Sequence, residues 1–125
     1  MQKVLVVEDN EDNLRLITYA LRRSGYEVIA AETGTRGVEL AVSERPDFIV
    51  MDIALPCIDG LEVVRRIRAS ADARRIPIVA MTSYAMSGDM ERIIAAGCCG
   101  YFEKPIDPLT IVADIRALLD REPRG

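Results

Sequence analysis

Short runs of apolar and β-branched residues alternate along the chain with longer stretches whose apolar positions recur every three or four residues. The runs predict strands over Lys3 to Val7, Tyr26 to Ala31, Asp47 to Asp52, Ile76 to Thr82 and Cys99 to Glu103. The first, third and fourth are nearly all apolar, as in strands covered on both faces. Between them Leu14, Ile17 and Leu21 share helical spacing, as do Leu61, Val64 and Ile67, then Met90, Ile93 and Ile94, then Leu109, Val112, Ile115 and Leu119. A fainter helix, roughly Thr35 to Glu44, carries Val38, Ala41 and Val42. Gly25 after Ser24 suits a positive-φ closure of the first helix, and Asp107 before Pro108 reads as the cap and first-turn proline of the last. Strand and helix alternating in this way predict an α/β fold, a parallel sheet wrapped by helices on both faces. No repeat or linker interrupts the pattern and five residues follow Asp120, so the chain is read as one domain, residues 1–125.

Composition then narrows the chemistry. At 125 residues and 50% hydrophobic, the chain can bury a core without disulfides or a structural metal. Sixteen basic and 20 acidic residues leave a net charge of −4, which argues against a nucleic-acid binder held by phosphate contacts and against a polybasic membrane-surface protein. There is no histidine, which excludes Ser/His/Asp and Cys/His catalysis, a histidine-ligated zinc and service as a phosphohistidine carrier. The three cysteines, Cys57, Cys98 and Cys99, are odd in number and lack CxxC spacing, so neither a disulfide framework nor a zinc ribbon is signalled. They read as packing residues, Cys57 in a loop and the others around a strand entrance. The apolar run Val4 to Val7 is too short for a signal peptide or a membrane span, and a cytoplasmic location is expected.

In an open parallel sheet the ligand crevice lies outside the carboxyl ends of the strands. Polar chemistry collects there: Glu8 and Asp9 follow the first strand, Asp52 ends the third, Thr82 ends the fourth and Lys104 follows the fifth. Each piece alone has an ordinary explanation. Glu8 and Asp9 would suit a helix cap, Asp52 a turn and Lys104 a solvated surface. Together they place three carboxylates, a hydroxyl and an ammonium at one sheet edge. Crowded carboxylates call for a hard cation or a partial proton, and Mg²⁺ with oxygen ligands is the natural occupant. Such a metal would let Asp52 act as a nucleophile toward phosphorus, with Thr82 and Lys104 meeting the equatorial oxygens.

These residues resemble the receiver domain of bacterial two-component response regulators (CheY-like). The likeness runs through VLVVEDN at 4–10, MDIALPCIDG at 51–60, IVAMTS at 78–83 and YFEKP at 101–105. It is similar in outline to the stand-alone, DivK-like cell-division regulators, and receivers of hybrid histidine kinases share the same features. The resemblance implies a doubly wound (βα)5 domain with five parallel strands in the flavodoxin-like order 2-1-3-4-5. It makes Asp52 the phosphoacceptor, Glu8 and Asp9 the metal-side acids, Thr82 the signalling hydroxyl, Lys104 the signalling ammonium and Tyr101 the switch aromatic. The backbone carbonyl of Ala54 would complete the protein share of the Mg²⁺ shell. It also implies a cis Lys104–Pro105 peptide, a histidine kinase or histidine phosphotransfer protein as donor, and an output face formed by the fourth helix, fifth strand and fifth helix. Such a protein is a signalling phosphoacceptor rather than an enzyme.

Departures from the family pattern are few. Leu55 replaces a frequent Met, while Ala54 and the large Tyr84 flank the site and imply slow loss of the phosphoryl group. Two rival classes are distinguishable. A flavodoxin-like or dinucleotide-binding protein would need a glycine- or hydroxyl-rich phosphate loop after the first strand, where Glu-Asp-Asn-Glu-Asp stands instead. A receiver-shaped module that takes no phosphate would fail to react with acetyl phosphate.

Overall fold

The computed structural model describes residues 2–53, 60–82 and 89–120. Five strands, β1 (Lys3–Val7), β2 (Glu27–Ala31), β3 (Phe48–Asp52), β4 (Ile78–Thr82) and β5 (Gly100–Glu103), alternate with five helices. The helices are α1 (Glu11–Arg23), α2 (Gly34–Glu44), α3 (Gly60–Ala69), α4 (Asp89–Ala96) and α5 (Ile111–Asp120). All pairings are parallel, in the order β2-β1-β3-β4-β5. The expected sheet and strand order are therefore present.

The two-residue period of a strand divides the core. Leu5, Val7, Ile49, Met51, Ile78 and Ala80 face the layer that includes residues of α2, α3 and α4. Val4, Val6, Phe48, Val50, Val79 and Met81 face the layer that includes α1 and α5. β3 and β4 are buried along their whole length, which explains their unbroken apolar sequence.

α1 closes as its sequence predicts. Gly25 (φ 95°) donates to the Arg22 carbonyl and Tyr26 to the Leu21 carbonyl, a Schellman closure that only a residue at ease with positive φ can make. Helical spacing alone does not show which positions are covered, and the start of the last helix needs correction. Met90, Ile93 and Ile94 lie on a helix, α4, as their spacing implies, but only Ile93 is buried, while Met90 and Ile94 are 47% and 48% exposed. The helix runs along the β5 side of the sheet, and its inward stripe is narrow, centred on Ile93 and Ala96. Leu109, grouped by spacing with the last helix, is 89% exposed, because residues 108–110 form a turn and the helix begins at Ile111 rather than with Pro108 in its first turn. Asp107 still caps this turn, its side chain accepting from the Leu109 N–H at 2.9 Å and its carbonyl from Ile111 at 2.9 Å.

Two arginines tie the edge where the strands enter. Arg68 of α3 donates to the carbonyls of Gly97 (2.7 and 3.1 Å), Arg74 (2.9 Å) and Ile76 (2.6 Å), joining the approaches to β4 and β5. Arg116 of α5 donates from Nε to the Tyr26 hydroxyl at 2.9 Å, and the Tyr26 ring meets Phe48 edge-on at 5.5 Å. Arg68→Ala would leave partly buried carbonyls without donors. It should lower stability by roughly 2–4 kcal/mol, read as a fall in the urea midpoint, with little change for the exposed Arg36→Ala. Cys98 sits in the core, where burial pushes its thiol up to about 12, in keeping with a packing role. Cys57, Leu55, Ala54 and Tyr84 lie outside the described residues.

Candidate functional site

The strand period that sorts the core also aims the polar residues beyond it. Glu8 continues the Val4, Val6 side of β1, Asp52 the Phe48, Val50 side of β3, and Lys104 follows Phe102 on the same parity. One oxygen from each of Glu8, Asp9 and Asp52 lies within 4.8 Å of the others. Lys104 Nζ stands 3.2 Å from both oxygens of Glu8 and 3.3 Å from Asp52 Oδ2. The Glu8 and Asp52 residues are 0% and 1% exposed, so these charges meet away from bulk water. The Lys104–Pro105 peptide is cis, as expected.

The ordinary explanation for the acidic pair fails on geometry. The cap of α1 is Asn10, whose side chain accepts from the Asn13 N–H at 3.0 Å, leaving Glu8 and Asp9 to the cluster. Asn13, which the sequence reading missed, donates from Nδ2 to Glu8 Oε1 at 3.2 Å and so orients that carboxylate. Its only sequence signal is a polar residue in the first turn of α1. Burial pushes Glu8 up to about 7, with the hydrogen bond and negative charge of Asp52 adding to the rise and Lys104 and Asn13 opposing it. The site thus favours the protonated form of the Glu8 carboxyl more than water does.

Thr82, 4% exposed, ends β4, and its carbonyl accepts from the Lys104 N–H at 2.9 Å. Thr82 lies one residue past Met81, the register partner of Asp52, and shares a sheet face with Tyr101, the partner of Ala80. Tyr101 itself is outside the acid cluster, half-buried against the core layer that holds α3 and α4. The sequence reading also missed Gly60. A Cβ there would meet Ile53 Cα and lie 2.5 Å from the Asp52 carbonyl oxygen, so α3 can start beside the end of β3 only because residue 60 has no side chain.

This strand order, with an acid cluster and a lysine at the carboxyl ends of the strands, is that of a CheY-like receiver. The chain belongs to the response regulator receiver domain family, whose sequence profile matches residues 4–116. It is 42% identical over 118 residues to the polar-differentiation response regulator DivK of Brucella anthropi, covering 94% of this chain and 96% of that relative. DivK of Brucella ovis is 41% identical over 118 residues, with 94% and 96% covered. Among solved structures, chemotaxis protein CheY4 of Vibrio cholerae superposes with a TM-score of 0.89 at 28% identity, covering 94% of this chain and 98% of that one. The receiver domain of sensor histidine kinase PA1611 of Pseudomonas aeruginosa, which has a magnesium ion coordinated in its active-site cleft, gives 0.85 at 37% identity, with 95% and 98% covered. The chain is thus a DivK-like response regulator receiver of two-component signalling, and no described helix is long and apolar enough to cross a membrane.

Proposed function

We propose that Asp52 accepts a phosphoryl group from the phosphohistidine of a histidine kinase or histidine phosphotransfer protein. The observation that carries this reading is the Lys104 ammonium bridging the buried carboxylates of Glu8 and Asp52, with Asp9 beside them. An Asp52 oxygen forms a bond to phosphorus as the phosphorus–nitrogen bond breaks, and the donor imidazole leaves with the bonding pair. In this reading the Lys104 ammonium, 3.3 Å from Asp52 Oδ2, and the Thr82 hydroxyl would take the equatorial oxygens.

The donor set suits Mg²⁺: three carboxylates within reach of one ion, with no nitrogen or sulfur ligand in the group. Asp9 and Asp52 would hold it directly and Glu8 through water, together with the Ala54 carbonyl, which lies outside the described residues. When bound, it neutralises charge on the phosphoryl oxygens. Asp9→Ala should weaken Mg²⁺ binding by tenfold or more, about 1.4 kcal/mol, as measured by calorimetry.

The raised pKa of Glu8 also fixes a pH dependence. Its stabilising share is fully present below the ordinary carboxylate value of 4.5 and is lost as pH rises through about 7, so on this group's account the metal-free protein weakens over that window. Mg²⁺ affinity should rise over the same interval. Binding at pH 7 should release a proton, seen as a calorimetric heat that depends on the buffer's ionisation enthalpy.

Phosphorylation would act on protein contacts through the face made by α4, β5 and α5. Thr82 turning toward the phosphoryl group vacates space for the Tyr101 ring, and the exposed Met90 and Ile94 of α4 offer apolar contact area. This is the role of a cytoplasmic signalling protein rather than an enzyme. The test is incubation with acetyl phosphate: with Mg²⁺ the intact mass should rise by one phosphoryl group, and with chelator it should not. No uptake in either case would make the chain a phosphate-independent interaction module.

A further inference from the structure

Lys104 and Asn13 both donate to the buried Glu8 carboxylate, and they differ in how firmly they are held. Lys104 reaches both Glu8 oxygens at 3.2 Å from the tip of a flexible stem. Asn13 reaches Oε1 at 3.2 Å with a short side chain in the first turn of α1. That turn is pinned, because the Asn13 main-chain N–H donates to the Asn10 side chain at 3.0 Å. The Glu8 main chain is fixed too, its N–H donating to the Ala31 carbonyl of β2 at 3.0 Å. The amide is therefore the stationary donor of the pair and the ammonium the movable one.

An ammonium has three protons, and that of Lys104 already faces three oxygens, both of Glu8 at 3.2 Å and Asp52 Oδ2 at 3.3 Å. A phosphoryl oxygen on Asp52 can be met only if one of these is given up, and Glu8 holds two of the three. Asp52 also hydrogen-bonds Glu8, but a carboxyl oxygen bonded to phosphorus has no proton to donate. Glu8 is 0% exposed, so bulk water does not stand in for a lost donor, and a buried carboxylate stripped of its partners is costly. Among the described residues, Asn13 is then the side chain that still donates to it.

We infer that Asn13 is a positioning residue, whose amide keeps the Glu8 carboxylate in place while Lys104 passes from Glu8 to a phosphoryl oxygen on Asp52. The inference rests on the proposed phosphoacceptor role of Asp52 and adds a residue that acts only through Glu8. Without the amide, the ammonium could leave only by stranding a buried carboxylate, so the phosphoryl oxygens would compete poorly for it. In the resting protein Lys104 covers both Glu8 oxygens and Asn13 matters less. A residue that served only the start of α1 would show no such dependence on state. The cap uses the Asn13 main-chain N–H, which alanine retains, and alanine is the better helix former.

The test compares the full chain with Asn13→Ala and with Asn13→Leu, which fills much the same space without a donor; a cooperative thermal melt shows that both variants fold. Calorimetry reads affinity for Mg²⁺ alone, then affinity for beryllofluoride, a tetrahedral mimic of the phosphoryl group, at saturating Mg²⁺. Loss of the amide should weaken beryllofluoride binding about twentyfold against about twofold for Mg²⁺ alone, since only the first state draws the ammonium from Glu8. Equal beryllofluoride affinity in the wild type and both variants would overturn the inference and leave the phosphoacceptor reading standing. So would losses of the same size in the two measurements, because Asn13 would then serve the shape of the site in every state. A wild type that takes no beryllofluoride would overturn the phosphoacceptor reading, and this inference with it.

Discussion

Asp52→Asn should take up no phosphoryl group from acetyl phosphate and Mg²⁺ under conditions where the wild type gains one. The Asp52 residue is 1% exposed at the end of β3, with Oδ2 3.3 Å from Lys104 Nζ. Asparagine keeps the shape and size of the side chain, but its amide oxygen is a poor nucleophile toward phosphorus. The loss should be complete in intact-mass measurement. Misfolding would not account for it, because the substitution removes one of three crowded carboxylates and leaves Lys104 its contacts of 3.2 Å with Glu8. Without metal, the variant should melt no lower than the wild type. Glu8, freed of its charged neighbour, should titrate below its present value of about 7. A phosphorylated Asp52→Asn protein would mean that another residue is the acceptor.

Gly60→Ala should impair both stability and chemistry. The added methyl meets main chain rather than a movable side chain, at Ile53 Cα and 2.5 Å from the Asp52 carbonyl oxygen. The Gly60 N–H also donates to the Ile53 carbonyl at 3.2 Å, so α3 and the end of β3 cannot separate without losing that bond. Relief of the overlap should cost about 3 kcal/mol in urea unfolding. A displacement near 1 Å at the Asp52 backbone should slow phosphorylation by acetyl phosphate about 100-fold. Gly25→Ala, at a turn far from the acids and with nothing within 4 Å of the added methyl, should lower stability through its positive φ while leaving the rate unchanged.

The sheet was legible because the apolar runs of β1, β3 and β4 are buried, and the acids of the cluster stand where two of them stop, Glu8 and Asp9 just after β1 and Asp52 as the last residue of β3. Glu8, Asp9, Asp52 and Lys104 could be read together for the same reason. Periodicity failed where it could show a helix without showing what covers it. Met90 and Ile94 have the spacing of core residues, but α4 buries only a narrow stripe. Leu109 belongs by spacing to α5 yet precedes its first full turn. Asn13, Gly60 and Arg68 were missed because their importance lies in contacts that local sequence does not display. Arg68 acts on a carbonyl 29 residues away, and Gly60 matters through the backbone of β3.

The two arginine ties at the strand-entry edge bear on how a change at the opposite edge travels. Arg68 fastens the approaches to β4 and β5, and Arg116 with Tyr26 fastens α5 to the start of β2, where Phe48 opens β3. The exit edge instead holds like charges, with the Lys104 ammonium between Glu8 and Asp52 and the Asn13 amide on Glu8. The molecule is thus stiff at one rim and electrostatically sprung at the other. On the proposed phosphorylation, a charge added at the exit rim would act against these ties, so helices and strands are expected to lean about the entry rim rather than slide past one another.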